Sequence, residues 1–351
     1  MNDLTALVSD CITIEELFER KGTPVIRGTL LMSSDRAFKT LTSRLKPLHL
    51  FPILREKNEK VELQIREILE QKTRKPWINF VLFATTILTT ILAGSFLSGA
   101  NPFSNPKNLI LGVPFSLALL LILGSHELGH YFACKSRGIQ ATLPYFIPVP
   151  PPIFPLGTFG AIIRIKAHIQ DKKGLIEVGA AGPIIGFIFA VPIAILGLLL
   201  SSFQPIIPET PQILILGNSL IFWALTELFT NPPTGYGLSL HPIAFAGWVG
   251  MFITALNLLP VGQLDGGHIS YALLGKKSKF VAWPLIGIMA ILGIYWLGWL
   301  VWAMLILLLL GIKHPPPLDD ITPLDKTHKI IGYLSLFIFI ITFVPVPFQI
   351  Q

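Results

Sequence analysis

The segment Ser125-His126-Glu127-Leu128-Gly129-His130 has the form HExxH. On an α-helix, residues four apart share a face about 6 Å from one another, so two imidazoles can hold one zinc ion. Glu127, one residue further round, is placed to reach a water on an open metal position without being a ligand, first as general base and then as proton donor to a leaving amine. A zinc site that does chemistry commonly takes three protein ligands plus water, so a third ligand is expected elsewhere. The candidate is Asp265, in Asn257-Leu258-Leu259-Pro260-Val261-Gly262-Gln263-Leu264-Asp265-Gly266-Gly267-His268. Pro260, Gly262, Gly266 and Gly267 are expected to break the helix there, and a carboxylate on irregular backbone can turn inward. Taken alone, the stretch reads more simply as an aspartate in a glycine-rich turn.

What surrounds these residues changes their weight. The chain has 351 residues, 52% of them hydrophobic and 13% charged, which is far from the composition of a soluble protein. About half of the charged residues fall between Met1 and Pro76. The reading is a polytopic α-helical membrane protein with six to eight membrane segments, preceded by a small soluble α+β domain. The boundary is placed at 1–75 and 76–351, with the membrane core at 108–275. Two histidines and a glutamate at or near hydrocarbon depth are costly to desolvate, which makes them functional candidates.

A span needs about 20 apolar residues. Such runs lie near 77–100, 108–134, 174–202, 241–260 and 330–347, and 280–312 is expected to form two, hinged around Tyr295 to Gly298. Segment 212–229 is apolar but carries Asn218 and Glu227. If it does not cross, Arg74, Lys75, Lys135, Arg137, Arg164, Lys166, Lys172, Lys173, Lys276, Lys277, Lys279, Lys313, Lys326 and Lys329 fall on one side and only Lys107 on the other, as the positive-inside rule requires. It is therefore expected to be re-entrant or surface-lying, with an inside amino terminus.

In the polar domain, Pro24 to Met32 suggests a strand, Ala37, Phe38, Leu41, Leu45 and Leu48 recur at helical spacing, and Leu50 to Leu54 suggests a second strand. Glu59 to Lys72, with Val61, Leu63, Ile65, Ile68 and Leu69, is predicted to be an amphipathic helix leading into the membrane. The start of the chain has neither a signal sequence nor a transit peptide, and is read as cytoplasmic, uncleaved and of prokaryotic type. Cys11 and Cys134 form no disulfide framework. The net charge of +7 follows from topology, and neither a nucleotide loop nor a nucleic-acid module is present to give it another meaning.

His126 to His130 followed by Asn257, Pro260, Asp265 and Gly266 resembles the site-2 protease family of intramembrane metalloproteases, whose second motif has the form NxxPxxxxDG. Gly157-Thr158-Phe159-Gly160 is similar to the family's GxFG hairpin, and Ala181-Gly182-Pro183 extends the likeness, which covers most of residues 108–275. Gly217-Asn218-Ser219-Leu220, His314-Pro315-Pro316-Pro317, Arg27-Gly28-Thr29-Leu30 and Phe51-Pro52-Ile53-Leu54 resemble its cyanobacterial and chloroplast thylakoid branch. The resemblance implies one Zn2+ per chain held by His126, His130 and Asp265, with Glu127 as the catalytic base. It also implies single-span membrane proteins as substrates, cut in or beside their transmembrane helix within the lipid bilayer. Asn257 is then a contact to substrate or oxyanion, or equally a helix cap. Gly157, Phe159 and Gly160 fall in a stretch, 156–169, whose alternation suits a strand edge able to hold an unwound substrate by β-addition.

Other residues read more plainly. His168 and His268 are expected to be solvated, Cys134 to pack in the core, and Gly182 to Gly186 to allow close helix packing. Two rivals remain at this level. A divalent-metal transporter would use the same His and Asp residues and tolerate Glu127→Gln, and an inert membrane chaperone would have no chemical need to keep Glu127.

Overall fold

The computed structural model describes residues 2–20, 22–67, 76–206 and 214–350. After a short helix α1 (Asn2–Val8) come β1 (Glu16–Arg20), β2 (Thr23–Gly28), helix α2 (Ser34–Leu45), β3 (Leu50–Lys57) and β4 (Lys60–Glu67). The four strands form one antiparallel sheet in the order β1-β2-β4-β3. Helix α2 buries Ala37, Phe38, Leu41 and Leu45, the face its spacing predicts, while Leu48 stays exposed.

The helix expected from Glu59 onward is instead strand β4. Asn58 and Glu59 both have positive φ, which closes a two-residue hairpin between Lys57 and Lys60. Val61, Leu63 and Ile65 are two apart, the spacing of a strand face, and Leu63 and Ile65 are buried. The remainder of that predicted helix, 68–72, lies outside the described residues.

Glu62 sits at the centre of this sheet's ionic network, 2% exposed, and accepts from Arg20 at 2.9 and 3.1 Å and from Arg27 at 2.9 Å. The hydrogen bonds from Arg20 hold its carboxyl below the usual glutamate range, ahead of the opposing effect of burial. Asp10, gripped by Arg44, is lowered from 3.8 to about 2. Groups depressed on folding stabilise the folded form above their ordinary values, and that contribution disappears as pH falls through the folded ones. The amino-terminal sheet is therefore expected to loosen between about pH 4 and pH 2, read by hydrogen exchange at β2 and β4 in the intact protein. Glu62→Gln is expected to cost about 1.5–3 kcal/mol locally, toward the low end because Arg20 is 41% exposed and screened.

Beyond Pro76 the apolar runs become helices, the one local structure that satisfies every backbone group from within its own segment in lipid. These begin with α3 (Trp77–Leu97) and α4 (Val113–Ser136), the latter led in by a 3₁₀ segment, Pro106–Gly112. A short antiparallel pair, β5 (Tyr145–Pro148) and β6 (Thr158–Ile162), precedes α5 (Lys172–Leu199). Next come β7 (Ser202–Pro205), β8 (Leu214–Leu216), α6 (Leu220–Phe229), β9 (Tyr236–Ser239), α7 (Pro242–Asn257), α8 (Asp265–Leu274) and α9 (Lys279–Leu292). The chain closes with α10 (Gly298–Leu305), which ends in a π-helical turn, then α11 (Lys326–Thr342) and β10 (Phe348–Ile350).

Three of these helices, α3, α4 with its 3₁₀ lead-in, and α5, are long and apolar enough to cross a membrane. The break between α9 and α10 falls where a hinge was expected. Helix α6, at 10 residues, rises only about 15 Å, half of a ~30 Å hydrocarbon core.

Helix α5 packs against α4, α7 and α8. Glycine permits the close approaches, since a Cβ on Gly197 would lie 2.0 Å from the Ala244 nitrogen and one on Gly247 2.7 Å from Ala194. At the end where α4 stops and α5 starts, Arg137 binds Glu177 at 2.5 and 2.7 Å and Asp171 at 2.9 Å, and His328 of α11 meets Glu177 at 2.8 Å.

The segment between α10 and α11 runs as a strap over this same end. Leu318 N–H donates to the Ile169 carbonyl at 3.0 Å and Asp319 N–H to that of Gln170 at 2.7 Å. On its other side the Leu318 carbonyl accepts from Leu54 N–H at 2.9 Å and from the Arg55 guanidinium at 2.8 Å. Leu318 and Ile321 pack into the amino-terminal core beside Leu41, Leu54 and Leu63. The amino-terminal sheet is thus docked on the loops that start α5 and α11.

Candidate metal centre

His126, Glu127 and His130 lie in the last three turns of α4 and are buried. Gly129 between them lets α4 close on α5, because a Cβ there would stand 2.8 Å from the Ala181 carbonyl oxygen. Helix α7 ends at Asn257, and a turn through Pro260 and Gly262, at φ +58°, brings the chain back. Asp265 then opens α8. Gly266 and Gly267 were expected to break a helix, yet they form its first turn. Each lacks a side chain because carbonyl oxygens of Leu258 and Gly262 lie 2.0 and 2.3 Å from where a Cβ would be.

The three expected ligands converge. Nε2 of His126 and Nε2 of His130 are 3.1 Å apart, and Oδ2 of Asp265 lies 3.4 and 3.2 Å from them. Zinc at about 2.0–2.1 Å from each donor in a tetrahedron requires donor-to-donor edges of about 3.3 Å, so these three atoms form one face of a zinc-sized tetrahedron. Among the described residues they are the one group of three or more such donors within ligating reach of one another. His130 is oriented from behind, since its Nδ1–H donates to the Val178 carbonyl at 2.7 Å and leaves Nε2 bare. Pro183, on the same helix, has no N–H to give the Gly179 carbonyl.

Helix α5 contributes by what it lacks. A Cβ on Gly182 would fall 2.1 Å from His130 Nε2, one on Gly186 3.1 Å from His126 Nδ1, and one on Gly179 2.9 Å from His268 Cβ. The spacing 179, 182, 186 puts all three on one face. Gly182 and Gly186, expected from the sequence to allow close helix packing, do pack, and what they pack against is the imidazoles of the candidate centre.

A cavity of about 230 Å³ opens on the centre, walled by His126, Glu127, His130, Asn257, Asp265 and His268, with Ala161, Ile162, Ile163 and Ile165 opposite. Asn257 Nδ2 stands 3.3 Å from His126 Nε2. Of the 156–169 stretch, Thr158–Ile162 forms a strand, β6. Of the stretch, Ala161, Ile162, Ile163 and Ile165 reach the cavity, whereas Gly157, Phe159 and Gly160 do not line it. Gly157, at φ +78°, abuts the Thr89 carbonyl, Gly160, at φ +95°, gives its N–H to Thr158, and Phe159 is 60% exposed.

His268 departs from expectation. It is half-buried in the cavity wall, with Nδ1 2.6 Å from Nε2 of His314. Sequence alone could not find this pair, because 46 residues and two helices separate its members. His168 is exposed and stacks on Phe51, 5.7 Å between centroids. Cys134 is buried beside Ile139 and Val178, as expected for a packing residue. A larger open groove of about 640 Å³ between α3 and α4 reaches Ser125 and Leu128 but includes none of the three ligand residues.

The family model for peptidase family M50 matches residues 114–294, more than half of the chain and the stretch that holds the whole centre. The chain belongs to peptidase family M50. Among M50 relatives, it is 28% identical over 354 residues to the probable zinc metalloprotease EGY2, chloroplastic, of Oryza sativa subsp. indica, an alignment covering 96% of this chain and 64% of that protein. It is 32% identical over 246 residues to the probable zinc metalloprotease EGY1, chloroplastic, of Arabidopsis thaliana, covering 67% of this chain and 43% of that protein. The chain therefore spans less than two thirds of the length of either relative. No solved structure matches it.

Proposed function

We propose that this M50 member is a zinc endopeptidase that hydrolyses a peptide bond in or beside the transmembrane helix of a single-span membrane protein. The observation that carries the reading is the zinc-sized triangle of His126, His130 and Asp265 beside a carboxylate, Glu127, that shares their cavity and is not a ligand. Bound there, zinc supplies a water acidic enough to react near neutral pH and polarises the scissile carbonyl. Glu127 takes the proton of the attacking water on its carboxylate and returns it to the leaving amine. Asn257 sits beside the reacting centre, and because its amide faces His126 Nε2, the nitrogen assigned to the metal, its N–H would be free to reach the substrate once that nitrogen is ligated. Strand β6 presents Ala161 and Ile162 at the cavity, where an unwound substrate backbone can add to its edge.

The finer topology is part of the same proposal. Residues 76–351 form the six to eight membrane segments, with α6 lying at the surface, and residues 1–75 form a domain outside the bilayer. That domain rests on the α4–α5 end of the bundle, the end that carries Arg137, Lys172 and Lys173, so the amino terminus and the metal centre face the cytoplasm or its organellar equivalent. The chloroplastic names of the relatives make a thylakoid-type membrane as fitting a setting as a bacterial plasma membrane.

Stripping the metal tests the reading. The purified protein in detergent is expected to contain one zinc per chain. Treatment with a strong zinc chelator should remove both the metal and cleavage of a panel of single-span substrates, and stoichiometric zinc should restore cleavage. Zinc flux across proteoliposomes with no cleavage of any substrate would overturn the assignment in favour of transport.

A further inference from the structure

Ile163 and Ile165, which wall the cavity opposite the metal-binding side chains, pack with Ile169 around Val178. Val178 is the residue whose carbonyl orients His130. Ile169 lies tight against the first turn of α5, its Cγ2 2.9 Å from where a Cβ on Gly174 would be. A shift of the chain at Ile169 is therefore passed by contact to the cavity wall.

That chain is held from outside the helical bundle. The strap lies beside it as a short strand, with Asp319 paired in parallel to Leu54 of β3 on one side and to Asp171 on the other. Backbone hydrogen bonds of 2.7 to 3.3 Å thus continue the amino-terminal sheet through the strap to Ile169 and Gln170. Next to this ladder, the Phe51 ring of β3 stacks on His168. The Arg55 guanidinium donates to the Leu54 and Leu318 carbonyls, each at 2.8 Å. Two sequence motifs that the metal chemistry leaves unused meet here. Phe51-Pro52-Ile53-Leu54 supplies the sheet edge, and His314-Pro315-Pro316-Pro317 leads into the strap.

We infer that the amino-terminal sheet is a working part of the substrate site: docked through Phe51 and Arg55, it fixes the wall at Ile163 and Ile165 where an unwound substrate backbone is received. This rests on the endopeptidase reading. Phe51, Arg55 and His168 are positioning residues, since none of them lines the cavity. A wall held ready before the substrate arrives reduces the ordering that binding must impose. Loosening the dock therefore weakens substrate binding and leaves the metal and the base in place.

The test uses full-length protein in detergent, with KM, kcat and zinc content measured on a cleaved single-span substrate and amide hydrogen exchange followed over residues 163–170 without substrate. Phe51→Ala, His168→Ala and Arg55→Ala are each expected to raise KM about 3- to 10-fold, with kcat little changed and one zinc per chain. The double variant Phe51→Ala/His168→Ala should be no worse than the worse single one, because both remove the same stack. Phe51→Tyr keeps a ring against His168 and Arg55→Lys keeps a cationic donor toward Leu318, so both should restore most of KM. Exchange at 163–170 should quicken in Arg55→Ala and stay close to wild type in Arg55→Lys.

An unchanged KM in His168→Ala and Arg55→Ala, losses that multiply in the double variant, or zinc lost from any of the single variants would each overturn the inference. Exchange at 163–170 that does not respond to Arg55→Ala would overturn it without reference to cleavage. Should Phe51→Ala or Arg55→Ala unfold the sheet, His168→Ala, which lies outside it, and Phe51→Tyr still decide. A wild type that holds zinc and cleaves no substrate would overturn the endopeptidase reading instead, while the exchange measurement still reports whether the sheet holds the wall.

Discussion

Glu127→Gln is expected to slow peptide cleavage by ~10²–10⁴-fold while the protein keeps one zinc per chain. Glutamine has nearly the same shape and fits the same buried place on α4, but its amide does not accept a proton. The metal should stay because Glu127 is not among the three converging donors. It lines the same cavity as those donors, which is where the proposed general base has to stand. Metal analysis of wild type and variant side by side, with single-turnover cleavage, checks both halves of the statement. Zinc lost from the variant would make Glu127 a ligand, and full activity with zinc bound would remove the general base from the mechanism.

Gly182→Ala is the second large effect, and it runs against ordinary helix energetics. Alanine in a helix interior is usually worth about 0.5–1 kcal/mol over glycine, so helix propensity alone predicts a more stable protein. Here the new methyl would lie 2.1 Å from His130 Nε2, 2.5 Å from Cδ2 and 2.6 Å from Cε1, inside the ring's own space. The imidazole cannot step aside without breaking its 2.7 Å bond to the Val178 carbonyl. Zinc affinity is therefore expected to fall by at least about 100-fold, with cleavage lost in proportion at limiting zinc. Gly186→Ala is the internal comparison. Its methyl would lie 3.1 Å from His126 Nδ1, a crowding that a few tenths of an ångström relieve, so its zinc affinity should fall far less. Equal loss in both would mean that α5 as a whole moves and that contact with the ring is not the cause.

His126, Glu127, His130 and Asp265 were legible in the sequence because their chemistry is written in residue type and local spacing, and because the second motif follows the first in the right order. The strand at Thr158–Ile162 was legible from its alternation. What was not legible depends on which element lies opposite. Gly182 reads as a packing glycine until His130 is seen against it. His268 reads as a solvated residue beside a basic loop until His314 is brought to its Nδ1 from another segment. Strand β4 was missed for a different reason. Ile68 and Leu69, which lie outside the described residues, continue the apolar pattern of Val61, Leu63 and Ile65 in the sequence, which blurs a period of two into something nearer a helix. The positive φ of Asn58 and Glu59, which fixes the hairpin, leaves only a weak trace in sequence.

The strap at 318–321 also sets an order of assembly. The outer edge of β3 is a row of backbone groups that no other strand among the described residues covers, and Leu318 and Asp320 bond to it at Leu54. Those partners are 263 residues apart in the Arg55–Leu318 bond, so during synthesis the amino-terminal sheet waits with an open edge and an incomplete core until almost the whole chain has been made. A chain cut short before residue 313 would keep both metal-binding motifs, yet it would lack His314 and would carry an exposed strand edge ready to pair with another molecule.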